Sequence, residues 1–246
     1  AHTLAISTED VYMDTPRRER AGWLGDMLPE SMAGYHAFGD THLVRHSLGL
    51  FLSSQDQEGL YLRYPENDPG WLWSRYPSID PGSMPDYNAS VAIAARDYVL
   101  YSGDTDFANA QWSRLVAVTD YILRRRKEDG LITFGIEECI HAAYILIDWA
   151  PFDRTGACGA LNMLFHGHLL AMADLAAAIG RREETRHYRK TAAALAAAIR
   201  SKLFDRRRGL FVNSRVEGRL NRRAGYQENL LALLGQYEAE SGPRVY

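Results

Sequence analysis

The sequence has little of several features that mark particular protein classes. It has two cysteines, Cys139 and Cys158, in 246 residues, which excludes a disulfide framework and favours buried free thiols. No apolar run reaches the length of a transmembrane helix, and no basic, apolar leader begins the sequence. The net charge is only −3, so no cationic surface for nucleic acid or membrane is indicated. We therefore expect a cytoplasmic rather than a secreted protein, with neither nucleic acid nor membrane as a partner.

Metal-binding patterns are also missing. No CxxC, HExxH or EF-hand spacing occurs, and the eight histidines are scattered. His166 and His168 lie two residues apart and would face different sides of a helix, which predicts core or rim histidines rather than metal ligands. No metal or other cofactor is predicted. The composition, 46% hydrophobic and 24% charged, is that of a globular protein with a substantial core.

The regular structure that the sequence predicts is almost entirely helical. Apolar residues at helical spacing predict helices over 24–38, with a break near Pro29, and over 41–52, 88–100, 106–127, 160–179, 182–204 and 225–235. Thr105 or Asp106 is expected to cap the fourth of these helices. The basic run 124–127 is expected to complement the helix dipole at its end. Residues 160–204 predict an αα-hairpin that packs closely through alanines.

Two long connections interrupt this helical pattern. Residues 131–158 are predicted to be irregular. Residues 54–83, which contain Trp71 and Trp73, are predicted to form a long loop. Long ordered loops in compact domains are often functional. A loop that only folds its aromatic residues over the core explains the pattern equally well.

The stretch 14–26, with the sequence D-T-P-R-R-E-R-A-G-W-L-G-D, concentrates charge in a shaped loop. It holds three carboxylates, three arginines and Trp23, and its proline and glycines argue against a helix interior. Arginines can hold crowded carboxylates in place through bidentate hydrogen bonds. Carboxylates beside an aromatic face suit a polyol substrate with a bond to be broken by acid. A solvated loop of salt bridges is the alternative interpretation.

This pattern, preceded by residues 11–13 (V-Y-M), resembles the signature of bacterial α-L-rhamnosidases. These are inverting glycoside hydrolases built on an all-α (α/α)6 barrel, the six-hairpin glycosidase toroid. Residues 74–78, 84–87, 148–149 and 159–162 resemble further segments of the same enzymes, and Gln227 opens a helix where the family often has glutamine. The resemblance runs from about residue 3 to about residue 235.

The resemblance implies roles for individual residues. Glu19 falls on the family's general acid, which must stay protonated near neutral pH. Six further residues are implied to bind the substrate: Asp14 and Asp26 toward the rhamnose hydroxyls, Trp23 and Trp149 as aromatic walls, Arg18 beside the sugar or the acid, and Asp86 as a sugar contact or a helix cap. Thr15 stands where many members have cysteine. A carbohydrate substrate is implied, without a cofactor.

An inverting enzyme needs a second carboxylate roughly 6.5–9.5 Å from the acid to activate water. The family's base has no convincing match in this sequence, and the candidates by default are Glu137, Glu138 and Glu228. A predicted hairpin takes about 45 residues, so six hairpins need more than this chain. We therefore expect one α/α-toroid domain over residues 1–246 that lacks its C-terminal hairpins. A second copy or a missing C-terminal segment is expected to cover the apolar surface that an open toroid exposes.

Removal of terminal α-L-rhamnose from oligosaccharides or glycosides is the function that these patterns favour. One alternative keeps the fold and changes the sugar. A second is a catalytically incomplete sugar-binding module. A third is a helical-repeat interaction module, although no repeat near 34 residues supports it.

Overall fold

Helices dominate the computed structural model, which describes residues 2–17, 20, 22–53, 84–134, 145, 147 and 153–235. Eight helices lie within these residues: α1 (His2–Ile6), α2 (Leu24–Phe38), α3 (His42–Ser53), α4 (Pro85–Ser102), α5 (Thr105–Leu123), α6 (Gly159–Ala178), α7 (Arg182–Lys202) and α8 (Tyr226–Leu234). Five short strands accompany them: β1 (Ala157–Cys158), β2 (Phe204–Asp205), β3 (Leu210–Phe211), β4 (Ser214–Val216) and β5 (Arg219–Leu220). The predicted loop 54–83 lies outside the described residues.

Inner and outer helices alternate along the chain. Helix α2 packs on α4, α4 on α6, and α6 on α8, while α3, α5 and α7 pack against this row from outside. The inner helices α4 and α6 are accordingly buried over most of their length. The predicted toroid of helical hairpins is confirmed, and within the described residues its inner helices form an arc rather than a closed ring.

The α6–α7 hairpin is the best-defined unit of this arc. Gly180, at φ 78°, makes the turn between its helices. Ala192 and Ala196 are buried where α7 meets α6, because small side chains allow close approach of two helices. The predicted hairpin is confirmed. Its second helix ends at Lys202, two residues earlier than predicted, because Phe204 pairs with Phe211 in the β2–β3 ladder.

Two buried polar side chains tie the inner helices to their neighbours. His168 of α6 lies 2.9 Å from the Ala89 carbonyl of α4 through Nδ1 and 2.8 Å from the Thr119 hydroxyl of α5 through Nε2. Asn162 of α6 donates to the Ile132 carbonyl at 2.9 Å and accepts from the Ile132 N–H at 2.8 Å. Both side chains are fully buried, so these hydrogen bonds replace those that water would make. The prediction of a core histidine is confirmed for His168.

Three details of the predicted helices were wrong. Helix α2 runs unbroken through Pro29, although proline has no N–H to donate to the Gly25 carbonyl one turn earlier. Asp104, rather than Thr105 or Asp106, caps α5 by accepting from the Phe107 N–H at 3.0 Å. Helix α5 ends at Leu123, where the chain turns into a short return toward Ile132.

The basic run 124–127 therefore lies in a turn, with Arg126 in a bridge to Ile132. The predicted interaction of this basic run with the exposed carbonyls at the end of α5 is confirmed for Arg125. That guanidinium donates to the Tyr121 carbonyl at 3.2 Å and lies 3.8 Å from the centre of the Tyr121 ring. The side chain thus satisfies one of the last carbonyls of α5.

A three-stranded sheet in the order β1-β4-β5 was not predicted. Ala157 pairs with Arg215 and Cys158 with Ser214. The Gly159 N–H, at the start of α6, donates to the Asn213 carbonyl at 2.7 Å. The sheet therefore fixes the N-terminal end of an inner helix, which is the end where the site lies. Cys158 is buried and free, whereas Cys139 lies outside the described residues.

The last inner helix exposes an apolar stripe. Tyr226 is 83% exposed, Leu230 56%, Leu233 71% and Leu234 81%, and their spacing places them along one side of α8. This agrees with the prediction that an open toroid exposes inner-helix surface. Its cover by a second copy or a further segment stays a prediction. None of the described helices has the length and hydropathy of a bilayer span.

Candidate active site

The N-terminal ends of the four inner helices meet at one end of the arc. Tyr87 of α4 contacts Trp23, which precedes α2. Asp86 of α4 and Glu228 of α8 both act electrostatically on Cys158, which precedes α6. Burial, with a smaller part from these two carboxylates, raises the pKa of the Cys158 thiol to about 12. The residues at these four helix starts form the rim in which a site can be built.

The Trp23–Asp26 segment and Tyr87 form the best-defined corner of this rim. The rings of Trp23 and Tyr87 meet edge to face, with centroids 5.9 Å apart. The Tyr87 hydroxyl donates to Asp26 Oδ2 at 3.4 Å. Gly25 allows this approach, because a Cβ at that position would overlap the Tyr87 ring. An aromatic face, a hydroxyl and a carboxylate therefore converge, which is a combination suited to a sugar.

Three carboxyl groups gather beside this corner. Burial raises the pKa of Glu30 to about 8, with further contributions from the charges of Asp26 and Asp14. Glu30 therefore shares its surroundings with both residues that were predicted to bind sugar hydroxyls. The Thr15 hydroxyl donates to Asp14 Oδ2 at 3.2 Å, so the residue that replaces the family's cysteine orients this carboxylate.

Glu30 was missed in the sequence. The available signal was its spacing, four residues after Asp26 on the same helix, which places both carboxylates on one face. Its Oε2 atom is buried and has no hydrogen-bond partner among the described residues. Because the pKa lies near 8, this carboxyl is mostly protonated at neutral pH.

Asp86 holds a distant backbone segment in place. It is 2% exposed in the first turn of α4, and its Oδ2 accepts from the Ile147 N–H at 2.7 Å. Ile147 has φ 55°, a left-handed conformation that a β-branched residue rarely adopts. Met84, not Asp86, is in the N-cap position of α4. A direct contact of Asp86 with sugar stays a prediction.

Glu228, one of the default candidates for the base, serves the start of α8. Its Oε1 accepts from the Asn213 side-chain amide at 2.9 Å and from the Gly225 N–H. This second bond belongs to a capping box. Glu228 has no exposed surface, so in this geometry it holds the helix start against the β-sheet rather than facing a solvent-filled pocket.

Several predicted site residues lie outside the described residues: Glu19, Arg18, Trp149, Glu137 and Glu138. Their predicted roles stay predictions. Arg20, which follows Glu19 in the sequence, lies within the described residues. It forms an ion pair with Glu9 and has φ 50°. Strained backbone of this kind is common at functional sites. Among the described residues, no group of three or more potential ligands could hold a metal ion.

The arc of helical hairpins and the carboxylates at its rim define the class of protein to which this chain is similar, the six-hairpin glycosidases. The sequence matches the profile of the bacterial alpha-L-rhamnosidase 6 hairpin glycosidase domain over residues 2–235. The chain belongs to this family. No curated protein matches it in a sequence comparison.

Solved structures share the fold over nearly the whole chain. A GH78 family rhamnosidase of Bacillus sp. GL1 superposes with a TM-score of 0.83 at 27% identity, over 97% of this chain and 24% of that one. A rhamnosidase from Klebsiella oxytoca with rhamnose bound gives 0.81 at 21% identity, over 97% and 43%. An alpha-L-rhamnosidase from Dictyoglumus thermophilum gives 0.70 at 16% identity, over 95% and 24%. The chain thus spans from about a quarter to somewhat under half of the length of these proteins.

Proposed function

We propose that this protein is an inverting glycoside hydrolase that removes terminal α-L-rhamnose, with Glu19 as the general acid. The observation that carries the proposal is the convergence of Trp23, Asp26 and Tyr87 at the inner-helix rim, beside Asp14. Trp23, Asp26 and Asp14 belong to the motif that resembles the rhamnosidase signature, and Tyr87 belongs to a second segment that resembles these enzymes. Family membership and the similarity to the Bacillus rhamnosidase support the assignment.

In the proposed reaction, Asp14 and Asp26 accept hydrogen bonds from sugar hydroxyls, and Trp23 packs against the apolar face of the ring. Glu19 protonates the glycosidic oxygen as the bond to the anomeric carbon breaks. Water attacks that carbon from the opposite face and gives up a proton to a base, through an oxocarbenium-like transition state. Negative charge at Asp14 and Asp26, which flank Glu19 in the sequence, would favour a protonated Glu19, as a general acid requires.

The direct test is hydrolysis of an aryl α-L-rhamnoside, with the released sugar followed by NMR. We expect β-L-rhamnose as the first product, because the mechanism inverts the anomeric centre. The substitution Glu19→Gln should lower kcat by about 10²–10⁴, whereas Glu184→Gln on the outer helix α7 should leave it unchanged. Turnover of an aryl fucoside or glucoside without turnover of the rhamnoside would keep the glycosidase class and reject rhamnose.

A further inference from the structure

Positive charge is concentrated in one segment of a chain that is slightly acidic overall. Residues 206–223 contain seven arginines and one glutamate, although the net charge of the whole chain is −3. The segment consists of the β2–β3 turn and the β4–β5 hairpin. None of the residues assigned a catalytic or sugar-binding role lies in it, so the proposed reaction does not explain this charge.

Two parts of this segment meet in space. In the β2–β3 turn, Asp205 Oδ1 accepts from the backbone N–H groups of Arg207 and Arg208, at 3.0 and 3.2 Å. The Arg208 guanidinium then donates to the Arg222 carbonyl at 2.6 Å. The turn therefore lies against the end of the β4–β5 hairpin. We refer to the exposed side chains gathered here as the arginine patch: Arg206, Arg207, Arg208, Arg222 and Arg223.

The arginine patch is anchored to the end of the arc that carries the rim. The Arg223 carbonyl accepts from the Asn213 N–H at 3.0 Å, and the Asn213 carbonyl accepts from the first N–H of α6 at 2.7 Å. The Asn213 side chain donates to Glu228 in the first turn of α8. The patch is thus linked by two short hydrogen-bonded steps to the starts of α6 and α8, on the same rim as Trp23 and Asp26.

Three of the five arginines in the patch have no ion-pair partner within the described part of the chain, whereas the Arg223 charge acts on Asp153. Arg215, in the same segment, forms an ion pair with Asp129, but no ion pair involves Arg206, Arg207 or Arg222 among the described residues. Guanidinium groups bind carboxylates through paired hydrogen bonds. Tyr226, three residues after the patch in the sequence, is 83% exposed.

We propose that the arginine patch binds the uronate carboxylates of an acidic polysaccharide whose rhamnose end occupies the rim. This inference rests on the proposed function and adds the class of its substrate. Packed helices lie about 8–10 Å apart. The inner row runs from α2 through α4 and α6 to α8, so its ends lie about 25 Å apart along the arc. An oligosaccharide of several residues covers that distance, whereas a monosaccharide or a small aryl glycoside does not reach the patch.

The test compares binding of an oligogalacturonate of several residues with binding of its methyl ester, which has the same sugars without free carboxylates. We expect calorimetric titration to show binding of the free acid that weakens with added salt, and binding of the ester at least about tenfold weaker. Triple reversal by Arg206→Glu, Arg207→Glu and Arg222→Glu should weaken binding of the acid by about tenfold or more, as three exposed ion pairs of ordinary strength would.

A matched control reverses three exposed charges of α7, at Arg186, Arg189 and Lys190, near the end of that helix remote from the patch. The net charge changes equally, so the control should retain oligogalacturonate binding. The triple glutamine variant of Arg206, Arg207 and Arg222 repeats the test if charge reversal perturbs folding, which circular dichroism detects.

Absence of binding by the parent protein, or equal loss in patch and control variants, would overturn the proposal. Tighter patch-dependent binding of single-stranded RNA or of anionic vesicles would overturn the assignment to a glycan. Hydrolysis of an aryl α-L-rhamnoside by the parent protein separates this inference from the proposed function, because that small substrate does not reach the patch. Patch-dependent binding of the acid by a protein without rhamnosidase activity would reject the proposed function and retain the anionic subsite.

Discussion

Acid should destabilise this protein partly through one buried histidine. Burial lowers the pKa of His168 to about 4, although its hydrogen bond to the Ala89 carbonyl acts in the opposite direction. The unfolded chain binds a proton near the ordinary histidine pKa of about 6.5. Between these values the unfolded state therefore holds about one more proton at this residue than the folded state.

The stability contributed by neutral His168 is fully present above about pH 6.5 and is lost as the pH falls toward 4. The pKa of His168 differs by about 2.5 between the unfolded and folded states, which corresponds to about 3 kcal/mol of unfolding free energy. His166, whose pKa is also lowered to about 4, by burial and then by the Arg200 charge, adds a loss of the same sign. These losses are comparable to the whole free energy of unfolding of a typical folded domain, about 5–15 kcal/mol.

The assay is urea unfolding at several pH values between 7 and 4.5, for the parent and for His168→Gln. Whatever the stability of the variant at pH 7, its further loss of unfolding free energy toward pH 4.5 should be smaller than the parent's by about 2–3 kcal/mol. His42→Gln removes an exposed imidazole from the outer helix α3 and should follow the parent curve. Parallel curves for the parent and His168→Gln would refute the reasoning, since His168 would then ionise equally well in both states.

Three further predictions concern the rim and the core. Gly25→Ala should lower the free energy of unfolding by about 1–3 kcal/mol, because its methyl group overlaps the Tyr87 ring; an unchanged urea midpoint would contradict this. Glu30→Gln should raise stability at pH 8 and not at pH 4, because a carboxyl with a raised pKa costs stability as the pH rises from about 4.5 through 8; thermal melts at both pH values measure this, and a gain of equal size at pH 4 would exclude ionisation as its cause. Asn162→Leu should lower the free energy of unfolding, measured by chemical denaturation, by about 2–4 kcal/mol, because it leaves the N–H and carbonyl of Ile132 buried without their partner. A smaller loss would mean that these two groups find other partners.

The helices that sequence patterns predicted well are those with an apolar stripe and a glycine stop. Gly103 and Gly180 both adopt positive φ at or just after the helix ends, as expected of residues without a Cβ. Residues 209–212 predicted a short extended return, which β3 confirms, but the other short strands had no comparable signal. Ala157 pairs with Arg215 from far along the chain, and strands of two or three residues are too short for a recognisable alternation.

The candidate site also combines features that the sequence predicted with features that depend on tertiary contacts. The motif around Asp26 carried enough residues to be recognised, and its helix start and aromatic neighbour lie together at the rim. Glu30 could be placed on the same helix face from its spacing, but not identified as a half-buried acid with a raised pKa. That property depends on Asp14 and on the packing around α2, which spacing along a helix does not specify.

By itself the sequence determined the hairpin pattern, the all-helical class and the acidic motif, because helix periodicity and a compact motif depend on residues close together in the chain. Only the tertiary structure decided that Asp86 holds Ile147, that Glu228 closes the start of α8, and that the arginines of the β2–β3 turn lie beside those that follow β5. These outcomes depend on contacts between residues far apart in the chain. The free energy of such contacts comes from burial and hydrogen bonding in the assembled fold.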